Sequence, residues 1–137
     1  MRHLFYAILL LGALGFTTTV RATVYHCPTA AKVQDEDREG DKSILKDEGL
    51  KWKLYSGYGV HEGELHLLGT QVAQGTGDAG LYCLYVNTEH DVAATQAIAE
   101  VQGKKCRVDS TRAGIKEHNP LKLTLCTDPA RCPIICE

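Results

Sequence analysis

The chain has 137 residues, 44% of them hydrophobic, with six Cys, one Trp, six Tyr and two Phe at a formal net charge of -2. That length suits one small domain and excludes two separate cores, and the apolar content excludes disorder of the whole chain. The charge also lacks the basic surplus with which a protein grips a nucleic-acid backbone.

An export signal comes first. Arg2 and His3 precede an apolar run from Leu4 to Phe16, then Thr17, Thr18 and Thr19 lead into Val20-Arg21-Ala22. Val20 and Ala22 are small enough for a signal-peptidase site, so residues 1–22 are expected to be removed and the mature domain to span 23–137. The apolar run falls short of the roughly 20 residues that cross a bilayer, so no membrane anchor is expected afterwards. Loss of Arg2 and Arg21 leaves 13 basic residues against 17 acidic ones, a net charge of -4. That sign argues against docking on phosphate or anionic lipid. An exported chain with an even number of cysteines is expected in the periplasm or outside the cell, where disulfides persist.

Thr23 to Cys27 reads as extended, and Pro28 biases Cys27 away from helix. The charged, glycine-containing stretch 35–43 reads as a loop. From Leu50 to Tyr55 the chain alternates with period two and places Leu50, Trp52 and Leu54 on one face of a half-buried strand. Ser56-Gly57-Tyr58-Gly59 turns the chain. Glu64 to Leu68 alternates again, reaching towards Val72, and Leu81 to Val86 is apolar, aromatic and β-branched. These two strands read as a hairpin across residues 73–80.

Residues 91–102 admit two readings. Ala94, Ala97, Ile98 and Val101 fall at helical spacing, with Thr88 as a cap and Gly103 as a stop, yet a third meander strand fits equally. Cys106 to Asp109 and Leu121 to Cys126 are further strands, and the tail from Cys126 to Cys136 reads as irregular. The predicted fold is mainly β: a small antiparallel sheet or sandwich, stabilised by disulfides, with at most one helix, near 91–102.

Six cysteines, Cys27, Cys83, Cys106, Cys126, Cys132 and Cys136, are expected to form three disulfides among fifteen possible pairings. Their spacing offers neither a zinc-binding set nor a CxxC redox pair. Asp35, Asp37, Glu39 and Gly40 imitate the opening of a calcium loop, but Lys46 stands where the bidentate glutamate belongs. No metal and no cofactor is implied. His61, Glu64 and His66 are the one cluster that combines bases with a carboxylate, and could serve a hydrolase if Gly63 bends the strand. Ser56 and Ser110 lack the context of a nucleophile elbow. Trp52, Tyr55 and Tyr58 could stack on a sugar, although Trp52 shares its face with Leu50 and Leu54 and so belongs to the core. A binding surface is expected on the loop Ser56–Glu62, with Tyr58 and His61 as its contact residues.

Cys27-Pro28, Lys51-Trp52-Lys53, the stretch Leu65 to Ala73, Cys83-Leu84-Tyr85 and Cys132-Pro133 together resemble a group of small exported bacterial proteins of unknown function. Their layout is Cys-Pro, a central Trp, an apolar strand ending in Ala, Cys-x-Tyr and a late Cys-Pro; Cys106, Cys126 and Cys136 lie outside it. That resemblance implies an exported domain and no catalytic residues. Tyr25-His26-Cys27 also resembles the start of ribonuclease-like secreted effectors of fungal pathogens. Nothing matches the Tyr-Pro-His catalytic strand of active microbial ribonucleases, so nuclease activity is not implied. The expected function is an exported, non-catalytic binding module for a protein or for an envelope or host component. The alternative is a small secreted, nuclease-like hydrolase using His61, Glu64 and His66.

Overall fold

The computed structural model describes residues 21–37, 43–56, 64–87, 92–109, 116–118, 123–126 and 131–137. In chain order the elements are β1 (Thr23–Tyr25), α1 (Ala30–Asp37), β2 (Ile44–Asp47), β3 (Leu50–Ser56), β4 (Leu65–Gln74) and β5 (Asp78–Asn87). They continue with β6 (Val92–Gln102), β7 (Cys106–Val108), β8 (Lys116–His118), β9 (Leu123–Leu125) and β10 (Ile134–Cys136). Seven strands form one antiparallel sheet in the order β2-β3-β6-β5-β4-β9-β8, and β1-β10-β7 form a second. The fold is mainly β, as the alternating patterns predict, with three disulfides, as the even number of cysteines predicts.

The inner face of the large sheet is the core. Trp52 and Leu54 on β3, Ala97 and Ala99 on β6, and Leu81, Cys83 and Tyr85 on β5 are all buried. Small side chains on β6 stand between the larger ones of its neighbours. Val33 of α1 and Ile134 of β10, both fully buried, cover this face from the other side. The two readings of 91–102 resolve to strand. β6 lies between β3 and β5, pairing Leu54 with Ala97 and Cys83 with Ala97. An alanine-rich segment gains two ladders of hydrogen bonds there, and this outweighs its local preference for helix.

The helix lies elsewhere. Thr29 caps it, accepting at Oγ1 from Lys32 N at 3.3 Å, while Thr29 O accepts from Val33 N at 3.1 Å. Asp35, Glu36 and Asp37, read as the start of a charged loop, are its last residues. Acidic groups are unfavourable at that end of a helix, and eight residues make a marginal helix alone. Burial of Val33 decides the matter. The tail is also more regular than its sequence suggests, since β10 pairs with both β1 and β7.

Three disulfides join Cys27 to Cys83, Cys106 to Cys136 and Cys126 to Cys132. The first ties the connector between β1 and α1 to the middle of β5. The second spans directly opposed residues of β7 and β10. Beside the first, Tyr85 Oη donates to Pro28 O, so Cys83 and Tyr85 together grip Cys27 and Pro28. Arg131 holds the same strap from the C-terminal side. Its carbonyl accepts from Cys27 N at 2.9 Å, and its Nε and Nη2 donate to Cys27 O at 3.2 and 3.1 Å.

Candidate functional site

The large sheet has a second face, which neither the helix nor the small sheet covers. Because side chains alternate along a strand, burial of Trp52 and Leu54 leaves Lys51, Lys53 and Tyr55 on the outside of β3, all exposed. Across the ladder the register lines up Ile44, Lys53, Ile98, Tyr82 and Gln71 in one row over five strands. Ile44 and Tyr55 are each 52% exposed, far above what an aliphatic or aromatic side chain of the core shows. An open groove of about 460 Å³ runs over the β3–β6 pair, walled by Lys51, Lys53, Tyr55 and Glu100 with Ile98 among them.

Next to the groove, Tyr82 lies over Gly80. A Cβ placed on Gly80 would come within 3.0 Å of Tyr82 Cε2, so the missing side chain makes room for the ring to lie along the sheet. Among the described residues no ion pair engages Lys46, Lys51 or Lys53. These cations, all exposed, are therefore available to a ligand. The groove offers an aromatic ring, aliphatic surface, ammonium groups and one carboxylate. None of its lining residues is a His, Ser, Thr or Cys.

A second cluster of charge has the opposite character. Lys32 Nζ meets Asp47 Oδ1 at 2.9 Å, and Arg131 Nη2 lies 3.5 Å from Asp47 Oδ2 and 4.0 Å from Glu48 Oε1. Glu48 also accepts from His26 N at 2.6 Å and sits 3.0 Å from its Nδ1. The Asp47 side chain is only 10% exposed. Each of these charges is engaged by another, so the cluster clasps the segments around Cys27, the β2–β3 turn and Arg131. Its role is structural.

Comparison with family models, with curated proteins and with solved structures finds no match for this chain. Tyr58 and His61, the expected contact residues, lie outside the described residues. Glu64 and His66 are both exposed, on either side of buried Leu65. Trp52 is fully buried and so takes no part in stacking on a ligand, whereas Tyr55 is open to solvent. Among the described residues no group of three or more His, Cys, Asp or Glu side chains is placed to hold a metal ion. Nor does any described helix have the length and apolarity to cross a membrane.

Sequence reasoning finds Tyr55 but passes over Lys51 and Lys53 beside it. Their signal is the same alternation that buries Trp52, applied to the opposite face. Ile98, Tyr82 and Glu100 carry no such signal, since their position over β3 depends on strand order and register.

Proposed function

We propose that this protein is an exported, non-catalytic binding module that captures a protein or an envelope or host component on the open face of its large sheet. One observation carries the reading: Tyr55, 52% exposed, stands beside Lys51 and Lys53 on a strand whose other face is core. An exposed ring beside cations that no ion pair among the described residues engages, held on a rigid sheet, is suited to recognition. Tyr58 and His61, which follow β3 in the sequence, are proposed as further contact residues.

Capture from the protein's native envelope or host material tests this. Tyr55→Ala should retain the wild-type circular dichroism spectrum and lose most of the captured partner. Joint replacement of Tyr58 and His61 by Ala should weaken capture in the same way. Undiminished capture by Tyr55→Ala would sink the assignment of this face. The hydrolase alternative makes a different prediction: His61→Ala or His66→Ala would abolish turnover of a substrate and leave capture unchanged.

A further inference from the structure

The occupant of the groove can be narrowed by the chemistry of its walls, taking the binding reading above as the starting point. Lys51, Lys53 and Tyr55 alternate along one strand, which separates successive side chains by about 6.8 Å. An exposed tyrosine ring presents an apolar face to the C–H side of a sugar, and ammonium groups attract anions. Glu100 on the opposite wall, also exposed, can accept hydrogen bonds from hydroxyl groups.

The chain as a whole is acidic after loss of residues 1–22, at a net charge of -4. Three lysines free of ion pairs on this face run against that overall sign. A cationic or neutral ligand would leave them without a partner, so the charge favours an anion.

A peptide fits this face poorly. Extended peptides bind sheets by adding a strand at an edge, where main-chain groups are unpaired. The groove instead lies over β3 and β6, which are both interior strands of the large sheet and hydrogen-bond to each other. A peptide lying there would gain side-chain contacts alone and bury its own main-chain polar groups at a cost. A sugar ring has hydroxyls to meet Glu100 and the ammonium groups, and an apolar face for Tyr55 and Ile98.

We infer that the groove binds an acidic polysaccharide, a chain of pyranose rings bearing carboxylates, with Tyr55 stacked on a ring and Lys51 and Lys53 on its carboxylates.

The test uses the oxidised mature protein and three probes in a calorimetric or fluorescence titration: a short oligogalacturonate, a neutral cello-oligosaccharide of equal length, and a hexaglutamate peptide. The oligogalacturonate should bind, and more weakly as salt is raised, because the groove is open to screening ions. Tyr55→Ala, and separately the double change Lys51→Gln with Lys53→Gln, should each weaken that binding about tenfold or more. All three side chains are exposed, so thermal unfolding of the variants should match wild type. Equal binding of the neutral sugar overturns the assignment of the lysines. Stronger binding of hexaglutamate overturns the polysaccharide in favour of an acidic peptide. If no glycan binds while Tyr55→Ala still abolishes capture from native material, the polysaccharide is wrong and the binding reading stands. If no glycan binds and capture is also indifferent to Tyr55, both fail.

Discussion

Three residues show how local physics is overruled at a price in conformational energy. Glu48 and Gly49 form the two-residue turn between β2 and β3, with φ of 50° and 77°. Both central residues of such a hairpin turn need positive φ, which favours Asn-Gly over Glu-Gly. Glu48 accepts the strain because its carboxylate holds His26 N and ring, fixing the strap that leads to Cys27. Arg131 and Cys132, at φ of 50° and 51°, are held likewise, one by its bonds to Cys27 and the other by its disulfide to Cys126. Trp52 presents a different tension. Its ring is fully buried and its Nε1 has no hydrogen-bond partner. Leaving a donor unsatisfied costs about 1–3 kcal/mol, so the ring must stabilise the fold through volume alone. Trp52→Phe removes the orphan donor along with part of the ring and should lie within about 1 kcal/mol of wild type, while Trp52→Ala should cost about 3–5 kcal/mol. Urea unfolding of the two variants measures the gap. A Phe variant as unstable as the Ala variant would show that the indole nitrogen has a partner after all.

At the level of elements, β4 shows what a bulge does to a strand's pattern. Leu67 pairs with Tyr85 and Gly69 with Leu84, so Leu68 is the extra residue. Leu65 and Leu67 face the core before it, and Thr70 faces the core after it, a change of parity that simple alternation cannot anticipate. The displaced Leu68 carbonyl is taken by Cys126 N at 3.1 Å, which anchors the end of β9. Deleting Leu68 should therefore regularise the ladder and keep every other side chain on its face, at the loss of one hydrogen bond and some packing, about 1–3 kcal/mol. Deleting Leu84, paired on both sides in β5, should flip half of that strand and abolish folding. The yield of oxidised, strand-rich protein distinguishes them; equal failure of both deletions would count against the bulge. The same contrast explains what was legible beforehand. β3, the first half of β4 and β5 are visible in the sequence because their alternation is local. α1 is not, because its three acidic residues disguise a helix that depends on Val33 being buried. Neither is β6, whose alanines fit helix or strand until β3 and β5 flank it. The groove inherits this limit: its β3 wall is legible in Lys51-Trp52-Lys53-Leu54-Tyr55, and its β6 wall is not.

Across the whole molecule, the two chain ends of the described domain are brought together on one side of the large sheet. β1 pairs with β10, Cys27 is fixed to Arg131, and Cys136 is bonded to Cys106. Cys27-Pro28 meets Cys83 and Tyr85 here, and Pro28 and Pro133 are fully buried. They build the clasp that closes the core on the side opposite the exposed face of β3. Pairing of six cysteines is invisible in the sequence because it depends on which segments this closure brings together. Its energetic weight is unequal, since a disulfide restrains the unfolded chain more when the loop it closes is longer. The Cys27–Cys83 bond spans 56 residues and the Cys126–Cys132 bond 6. Loop entropy alone gives about 4 kcal/mol for the first and about 2 kcal/mol for the second. The double variant Cys27→Ala, Cys83→Ala should thus unfold at a clearly lower urea concentration than Cys126→Ala, Cys132→Ala, and both below wild type. Removal of the first pair has a further consequence that removal of the second lacks. With the covalent tie gone, the strap is held to β5 by the Tyr85–Pro28 hydrogen bond, and protease cleavage between residues 26 and 37 should accelerate. Equal midpoints for the two double variants would show that strain or residual structure in the unfolded chain, and not loop length, sets the stability of this fold.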